Sequence, residues 1–216
     1  MLDALPVIGP IFKIYIEKYY DNSYENIGRA NSWVWYGPRW AQAATAPSRM
    51  NKGYITQGGI RCPAIIRYPP IFPQNQISHE FTTVMDIYPT ILSLAGIPLP
   101  PGQFQGRQVV PVRGQSWTDF FQGRKERVYG EQSFTGWELF GRLGVRKGKW
   151  KATFIPEPHG PGVWELFDLD DDPGETKDLS KQEKVIFKEL LIEWDRYVSE
   201  TGVVGIPPEY GTLRVD

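Results

Sequence analysis

The residues of this chain that could form a binding site for an anionic group are a lysine and the glycine pair that follows it. Lys52 lies a few residues before Gly58-Gly59, in the segment A-P-S-R-M-N-K-G-Y-I-T-Q-G-G-I-R-C-P from Ala46 to Pro63. The ammonium group supplies positive charge, and glycines let a backbone approach closely because they carry no Cβ. This combination is typical of sites that bind an anionic group, and Lys52 is the candidate residue.

Two further segments accompany this one. T-V-M-D-I-Y-P-T-I-L-S-L-A-G runs from Thr83 to Gly96, and W-E-L-F-D-L-D-D-D-P-G-E-T-K-D-L runs from Trp164 to Leu179. In this order the three blocks resemble the sulfatase family of the alkaline phosphatase superfamily, and within it the arylsulfatases of bacteria and fungi. The resemblance implies an α/β fold, made of the C-terminal portion of a sulfatase-type α/β/α sandwich and a small four-stranded antiparallel sheet with a C-terminal helix.

The resemblance also implies a function, the hydrolysis of sulfuric esters as in arylsulfatases. In this family a formylglycine, made from the cysteine of C-x-P-S-R or C-x-A-S-R, attacks the sulfur of a sulfate ester. A divalent cation, usually calcium, binds the sulfate oxygens. Lys52 matches the family's sulfate-contacting lysine in its spacing to G-G-I-R, so the resemblance gives it a catalytic and substrate-binding role.

Other parts of the family's active site are missing from this sequence. Neither the formylglycine motif nor the aspartates that hold the cation are present. The chain therefore resembles the C-terminal part of a sulfatase and offers no metal ligands of its own. We expect the calcium ion and the formylglycine in the full-length parent, and we expect the isolated chain to be inactive.

Two segments imitate the missing nucleophile. Thr45-Ala46-Pro47-Ser48-Arg49 has threonine where the motif has cysteine, and threonine cannot be oxidised to formylglycine, so we expect a loop. The only cysteine, Cys62, is followed by Pro-Ala-Ile and lacks the Ser-Arg pair. We expect it to be a small buried thiol that behaves as a hydrophobic residue.

The acidic run and the histidines also invite a functional interpretation. Asp168, Asp170, Asp171, Asp172 and Glu175 do not fit the EF-hand spacing, because Pro173 stands at the glycine position. We expect these carboxylates to bind backbone amides. The two histidines, His79 and His159, have no ligand types beside them in sequence, so neither is assigned a function.

The elements that must position Lys52 follow from residue patterns. We expect a large-domain portion over 1–105 and a small α+β subdomain over 106–216, separated at a Pro/Gly-rich connector. In the first portion, a short helix over 11–20 precedes a long aromatic-rich loop. Its residues Trp33, Trp35, Tyr36 and Trp40 either pack the loop onto the protein, which we favour, or line a pocket for an aryl group. Cys62–Tyr68 reads as a buried strand.

Periodicity defines the remaining elements. The apolar spacing predicts a helix over 83–96 with Asp86 as N-cap and Gly96 after its end. We expect an antiparallel meander of four strands at Arg127–Gln132, Phe140–Lys147, Trp150–Ile155 and Val163–Leu169. Ser180 and Glu183 form a capping-box pattern that predicts the start of a helix, which Gly202 ends.

The charge and the hydropathy of the sequence argue against some classes of binding partner. The formal net charge is −1 over 216 residues, which argues against nucleic acid and against a charged membrane surface. No apolar run approaches the ~20 residues that a bilayer span needs. The start lacks a signal peptide, and no N-x-S/T sequon is present, which weakly favours the cytoplasm; the compartment is otherwise unknown. The expected partners are a small-molecule sulfate ester and the missing N-terminal half of the catalytic domain.

Two other functions remain open from the sequence. One is a phosphonate or phosphate monoester hydrolase of the same superfamily, which an upstream nucleophile of a different type would indicate. The other is a non-catalytic truncated remnant, which the absence of the nucleophile and the metal ligands would fit.

Overall fold

A computed structural model of the chain describes residues 8–34, 37–72 and 75–205. The chain divides into two compact units, Met1–Arg61 with Phe134–Asp216, and Cys62–Ser133. The helices are α1 (Ile8–Tyr19), α2 (Gly37–Thr45), α3 (Gln57–Ile60), α4 (Ile87–Leu94), α5 (Thr118–Phe121) and α6 (Lys184–Thr201). The strands are β1 (Gln103–Phe104), β2 (Arg107–Gln108), β3 (Phe134–Leu139), β4 (Arg142–Lys147), β5 (Trp150–Phe154) and β6 (Trp164–Asp168). The sequence-based boundary at 105 is not tested by this division and stays a prediction.

The first unit is built on a four-stranded antiparallel meander in the order β3-β4-β5-β6. One face packs against α6, and its buried core consists of Val145, Ala152, Leu166, Leu190 and Trp194. Gly136 permits this packing, because a Cβ there would overlap the ring of Tyr197 on α6. The expected α/β class, with its small antiparallel sheet and C-terminal helix, is confirmed.

The first strand of the meander is not where the sequence predicted it. Arg127–Gln132 is not a strand, and β3 lies at Phe134–Leu139 instead. Phe140 and Gly141, with φ of 53° and 74°, form the tight turn that joins β3 to β4. Positive φ at both residues is typical of type I′ hairpins, so the turn sets the register that pairs Leu139 with Arg142. The other three predicted strands are confirmed within a few residues.

The predicted start of the C-terminal helix is also wrong. The helix α6 begins at Lys184 after the N-cap Glu183, without a side-chain cap. Ser180 instead donates its hydroxyl to Asp178 Oδ2 at 2.8 Å and its N–H to Asp178 Oδ1 at 2.9 Å. Asp178 also accepts the N–H of Leu166 on β6. This carboxylate therefore competes for Ser180 and holds it in the turn before the helix. Gly202 ends α6 with φ of 68°, as predicted.

Residues early in the chain follow the sequence expectations in part. A helix is present near residues 11–20, as α1, and a 3-10 turn at Tyr24–Asn26 interrupts the long loop. The loop ends earlier than predicted, because α2 begins at Gly37. Pro38 suits the first turn of a helix, where its missing N–H would have no partner.

The segment Cys62–Tyr68 does not form the predicted buried strand. It is exposed and has no strand pairing among the residues that the structure describes. A strand needs a neighbour that accepts and donates backbone hydrogen bonds, and the described residues supply none beside it. Cys62 is exposed as well, so the expectation of a buried thiol was wrong.

The second unit is organised around a buried carboxylate. Asp86 is fully buried and is the N-cap of α4. It accepts the N–H of Thr83 at 2.6 Å, the N–H of Gln115 at 2.8 Å and the hydroxyl of Tyr129. Burial and the neighbouring Asp86 raise the pKa of the Tyr129 phenol. The carboxylate thereby ties three segments of the unit together.

The predicted helix of this unit is confirmed, but its apolar side is exposed. Gly96 follows α4 with φ of 68°, as expected. The buried residues of α4 are Pro89 and Thr90. The apolar positions Val84, Ile87 and Ile91 are exposed instead. The sequence correctly predicted an apolar face, but nothing among the described residues of this unit covers it.

We expect Asp86→Ala to destabilise the second unit strongly. The substitution leaves three donors without their charged acceptor, and hydrogen bonds to charged groups contribute about 1.5–3 kcal/mol each, so the unit should lose at least ~4.5 kcal/mol. Hydrogen exchange of the α4 amides measures the opening of this unit directly. Asp119→Ala, which removes an exposed carboxylate paired with Arg124, is the control and should change protection little. Equal protection of α4 in both variants would contradict the role of Asp86.

Candidate functional site

The candidate residue Lys52 lies on an exposed turn. Its side chain has no hydrogen-bond or ion-pair partner among the residues that the structure describes. The next residue, Gly53, has φ of 101°, a conformation that favours glycine. The ammonium is therefore free to bind an anion. We call residues 49–56 the lysine loop.

The glycine pair fixes the lysine loop to the short helix α3. A Cβ on Gly58 would overlap the carbonyl oxygen of Met50, and a Cβ on Gly59 would overlap that of Tyr54. The N–H of Gly58 also donates to the carbonyl of Arg49 at 3.0 Å. The two glycines thus allow α3 to pack closely against the backbone of the lysine loop. This packing gives the loop its shape.

The lysine loop lies on the face of the sheet opposite to α6. Along β5, Ala152 points to the α6 core, whereas the neighbours Lys151 and Thr153 point to the other face. Ile55 of the loop lies over Gly144 of β4, because a Cβ at that glycine would be 3.4 Å from the Ile55 side chain. Tyr54, Ile55 and Ile155 form a small buried core of their own. The sheet therefore has one apolar face and one face that carries buried charges.

A fully buried ion pair joins this charged face to the end of the loop. Lys151 Nζ lies 2.7 Å from Glu175 Oε1, and both side chains have no exposed surface. Glu175 Oε2 accepts the backbone N–H of Gln57 at 2.9 Å, and Lys151 Nζ lies 3.4 Å from the Gln57 side-chain oxygen. Burial lowers the pKa of Lys151 to about 8, although the Glu175 charge opposes that shift.

Two arginines add further anchors. Arg49 Nη1 lies 3.3 Å from Glu165 Oε2, and its guanidinium carbon lies 4.8 Å from the centre of the Phe167 ring. Arg142 donates from Nη1 to the carbonyl of Gly53 at 3.0 Å. The loop that carries Lys52 is thus held at both ends and next to the lysine itself.

The segment that imitates the nucleophile motif has a structural role. Thr45 is the last residue of α2, and its hydroxyl donates to the carbonyl of Met50 at 2.6 Å. Ser48 is buried, and the carbonyl of Ser48 accepts from Gln42. These contacts pack the segment against the lysine loop.

The acidic turn after β6 serves the backbone, as the sequence predicted. Asp172 accepts the N–H groups of Thr176 and Lys177, and this hydrogen bonding holds its pKa below the usual value in spite of desolvation. Asp168 forms an ion pair with Lys149 at 2.6 Å. Within residues 8–34, 37–72 and 75–205, no three His, Cys, Asp or Glu side chains form a group that could hold a metal ion. None of the helices described there could cross a membrane.

The remaining candidates are dispersed. His79 is exposed, and the partly buried His159 ring packs edge-on against Tyr54, with 6.1 Å between centroids. Trp33 packs against Phe12 and Tyr20, which supports packing rather than ligand binding. Trp40 is 70% exposed. Trp35 and Tyr36 lie outside the described residues.

Sequence reasoning missed the residues that hold the loop. Arg142, Lys151 and Glu165 alternate with apolar residues along their strands, a pattern typical of a sheet face that contacts water. Glu175 lay within the acidic run that we assigned to amide binding, and its partner Gln57 is 118 residues away. No local signal in the sequence distinguishes these buried charges from exposed ones.

We expect Lys151→Met to destabilise the first unit and to change its pH dependence. Removing one partner of a buried pair typically costs about 3–5 kcal/mol, because the other charge stays buried. In the folded wild type the Lys151 pKa of about 8 lies below the ordinary lysine value of 10.5, so between these pH values the unfolded chain binds the extra proton. The contribution of Lys151 to stability therefore increases as pH rises through this window, and it is lowest below pH 8.

Urea denaturation between pH 7 and 11 measures this effect. The difference in unfolding free energy between wild type and Lys151→Met should grow with pH across the window. Lys188→Met, on the exposed side of α6, should keep the wild-type slope. Parallel pH profiles for wild type and Lys151→Met would show that Lys151 is not a depressed titrating group.

Comparison with known proteins agrees with the sequence blocks. Residues 48–196 match the family model described as N-sulphoglucosamine sulphohydrolase, C-terminal. An uncharacterized sulfatase of Schizosaccharomyces pombe is 52% identical over 210 residues, which cover 97% of this chain and 37% of that protein. An arylsulfatase of Klebsiella aerogenes is 38% identical over 100 residues, 46% of this chain and 21% of that protein.

Solved structures support the fold. A crystal structure of Ps i-CgsB in complex with k-i-k-neocarrahexaose superposes on this chain with a TM-score of 0.59 at 22% sequence identity. The superposition covers 72% of this chain and 32% of the Ps i-CgsB chain.

The match to the family model includes the lysine loop, the segment from Thr83 to Gly96 that contains Asp86, the four-stranded sheet and most of α6. The chain spans little more than a third of the length of the fission yeast relative. From the sequence blocks and these matches, we conclude that the chain belongs to the sulfatase family and corresponds to its C-terminal part.

Proposed function

We propose that the protein to which this chain belongs hydrolyses sulfuric esters of the arylsulfatase type, and that Lys52 contacts the sulfate group. The observation that carries this proposal is an exposed, unpaired ammonium on a loop that buried charges hold in place. Family membership supplies the reaction class.

The role of Lys52 would be electrostatic. Negative charge on the sulfuryl oxygens changes during cleavage, and a cation fixed before the reaction stabilises it without reorganisation. Because α3 and the anchoring side chains hold the lysine loop, the ammonium would need little rearrangement when a sulfate group binds. The same charge would also suit a phosphonate or phosphate monoester, so the substrate must be tested directly.

The described residues do not fit a site for the divalent cation or for the formylglycine that the family uses. They include no cluster that could hold a divalent cation, and Cys62 is an exposed residue outside the formylglycine motif. We propose that calcium and the formylglycine are bound or carried by parts of the protein that this sequence does not include, and that this chain alone is inactive.

The exposed side of α4 supports a further domain portion as the partner. Val84, Ile87 and Ile91 present apolar surface in a unit whose buried helix residues are few. Contiguous apolar surface of this kind typically marks an interaction site. We propose that the N-terminal half of the catalytic domain covers it in the full-length parent.

We expect Lys52→Ala in the full-length parent to lower turnover of 4-nitrophenyl sulfate at least about a hundredfold, the typical effect of removing one charge-stabilising group. Lys188→Ala, which removes an exposed lysine of α6, is the matched control and should keep wild-type kinetics. Unchanged kinetics in Lys52→Ala would rule out the proposed role. Faster hydrolysis of a phenylphosphonate ester than of the sulfate would favour the phosphonate hydrolase, and no hydrolysis of either would favour a non-catalytic remnant.

A further inference from the structure

A buried guanidinium lies beneath the turn that carries Lys52. Arg142, the first residue of β4, is only 2% exposed. Its Nη1 donates to the carbonyl oxygen of Gly53 at 3.0 Å, and its guanidinium carbon lies 4.3 Å from the centre of the Tyr54 ring. This carbonyl belongs to the peptide group between Gly53 and Tyr54, so the hydrogen bond fixes the backbone one residue beyond the candidate lysine.

Stability alone does not account for this arginine. Burying a charge is costly unless it is well paired, and Arg142 has no carboxylate partner among the residues that the structure describes. Its Nε atom is buried and has no hydrogen-bond partner there either. An apolar side chain of similar volume would fill the position without that desolvation cost.

The turn itself needs an external restraint. Gly53 adopts φ of 101°, and no atom lies within 4 Å of the position that a Cβ would occupy. Glycine has more accessible backbone conformations than any other residue, so local sterics do not select one for this turn. The Arg142 hydrogen bond selects it, and the Tyr54 ring holds the guanidinium plane in place.

We propose that Arg142 is a positioning residue that presents the Lys52 ammonium to the sulfate group in one orientation. This inference rests on the proposed function of Lys52. Arginine suits the task better than lysine, because its planar guanidinium stacks on an aromatic ring while its N–H groups still donate. Misplacement of a catalytic group by about 1 Å can cost about a hundredfold in rate, so a distant anchor can control activity.

A double-mutant cycle in the full-length parent tests the proposal. Arg142→Met should lower kcat/KM for 4-nitrophenyl sulfate roughly 10- to 100-fold, the cost typical of removing a group that orients a functional residue. In the Lys52→Ala background the same substitution should cause little further loss, because residues that act through one another are non-additive. Arg142→Lys should fall between wild type and Arg142→Met, since it keeps the charge and loses the planar fork.

The controls separate positioning from folding. Lys149→Met removes a cation from the other end of the same hairpin and should leave kcat/KM unchanged. Circular dichroism melts verify that each variant is folded, and if Arg142→Met is not, the cycle is run with Arg142→Lys. An equal fold-loss from the Arg142 substitution in both backgrounds would overturn the inference while the role of Lys52 stands. No loss in Lys52→Ala alone would instead overturn the proposed function and the inference with it.

Discussion

The ion pair between Lys151 and Glu175 is the interaction on which the rest of the site depends. It is fully buried, and the same carboxylate accepts the first backbone N–H of α3. Glu175 adopts a left-handed backbone conformation, with φ of 55°, that costs a non-glycine residue roughly 1–2 kcal/mol. The charge pair and the amide hydrogen bond offset that cost, and together they fix Gln57, where the lysine loop passes into α3.

The two faces of the four-stranded sheet that contains Lys151 differ in their residues and in what they contact. The face toward α6 is apolar and supplies the stability of the unit through Val145, Ala152 and Leu166. The opposite face carries Arg142, Lys151 and Glu165 and holds the lysine loop. Buried charges are poor contributors to stability but have strict geometric requirements, so they suit a surface that must fix a loop in one arrangement.

The sequence allowed the family and the fold class to be predicted, because both depend on short segments with a recognisable pattern, whereas the role of Lys52 stays a prediction. Three of the four strands were found by their alternation, but Arg127–Gln132 was mistaken for a strand. Its residues have strand-like propensity, yet the N–H of Val128 and the hydroxyl of Tyr129 are bound by Glu80 and Asp86. Sequence propensity does not show which distant acceptors compete for a segment.

The anchors of the lysine loop could not be predicted for a related reason. A buried Lys151 and an exposed lysine look alike in a strand, and only contacts across the fold distinguish them. Cys62–Tyr68 shows the opposite case, because its apolar residues predicted burial that the described residues do not provide. In both cases the burial of a residue depends on distant parts of the molecule and not on its neighbours in sequence.

The separation of these anchors in sequence has a consequence for the order of folding. The lysine loop is bound to Arg142 across 89 residues, and Gln57, which directly follows the loop, is bound to Glu175 across 118 residues. The strands of the sheet, in contrast, each pair with the next strand along the chain, so the sheet can form early and locally. During synthesis from the N-terminus, the loop emerges long before its anchors exist. The loop that carries Lys52 is therefore fixed only after the chain has been made as far as Glu175.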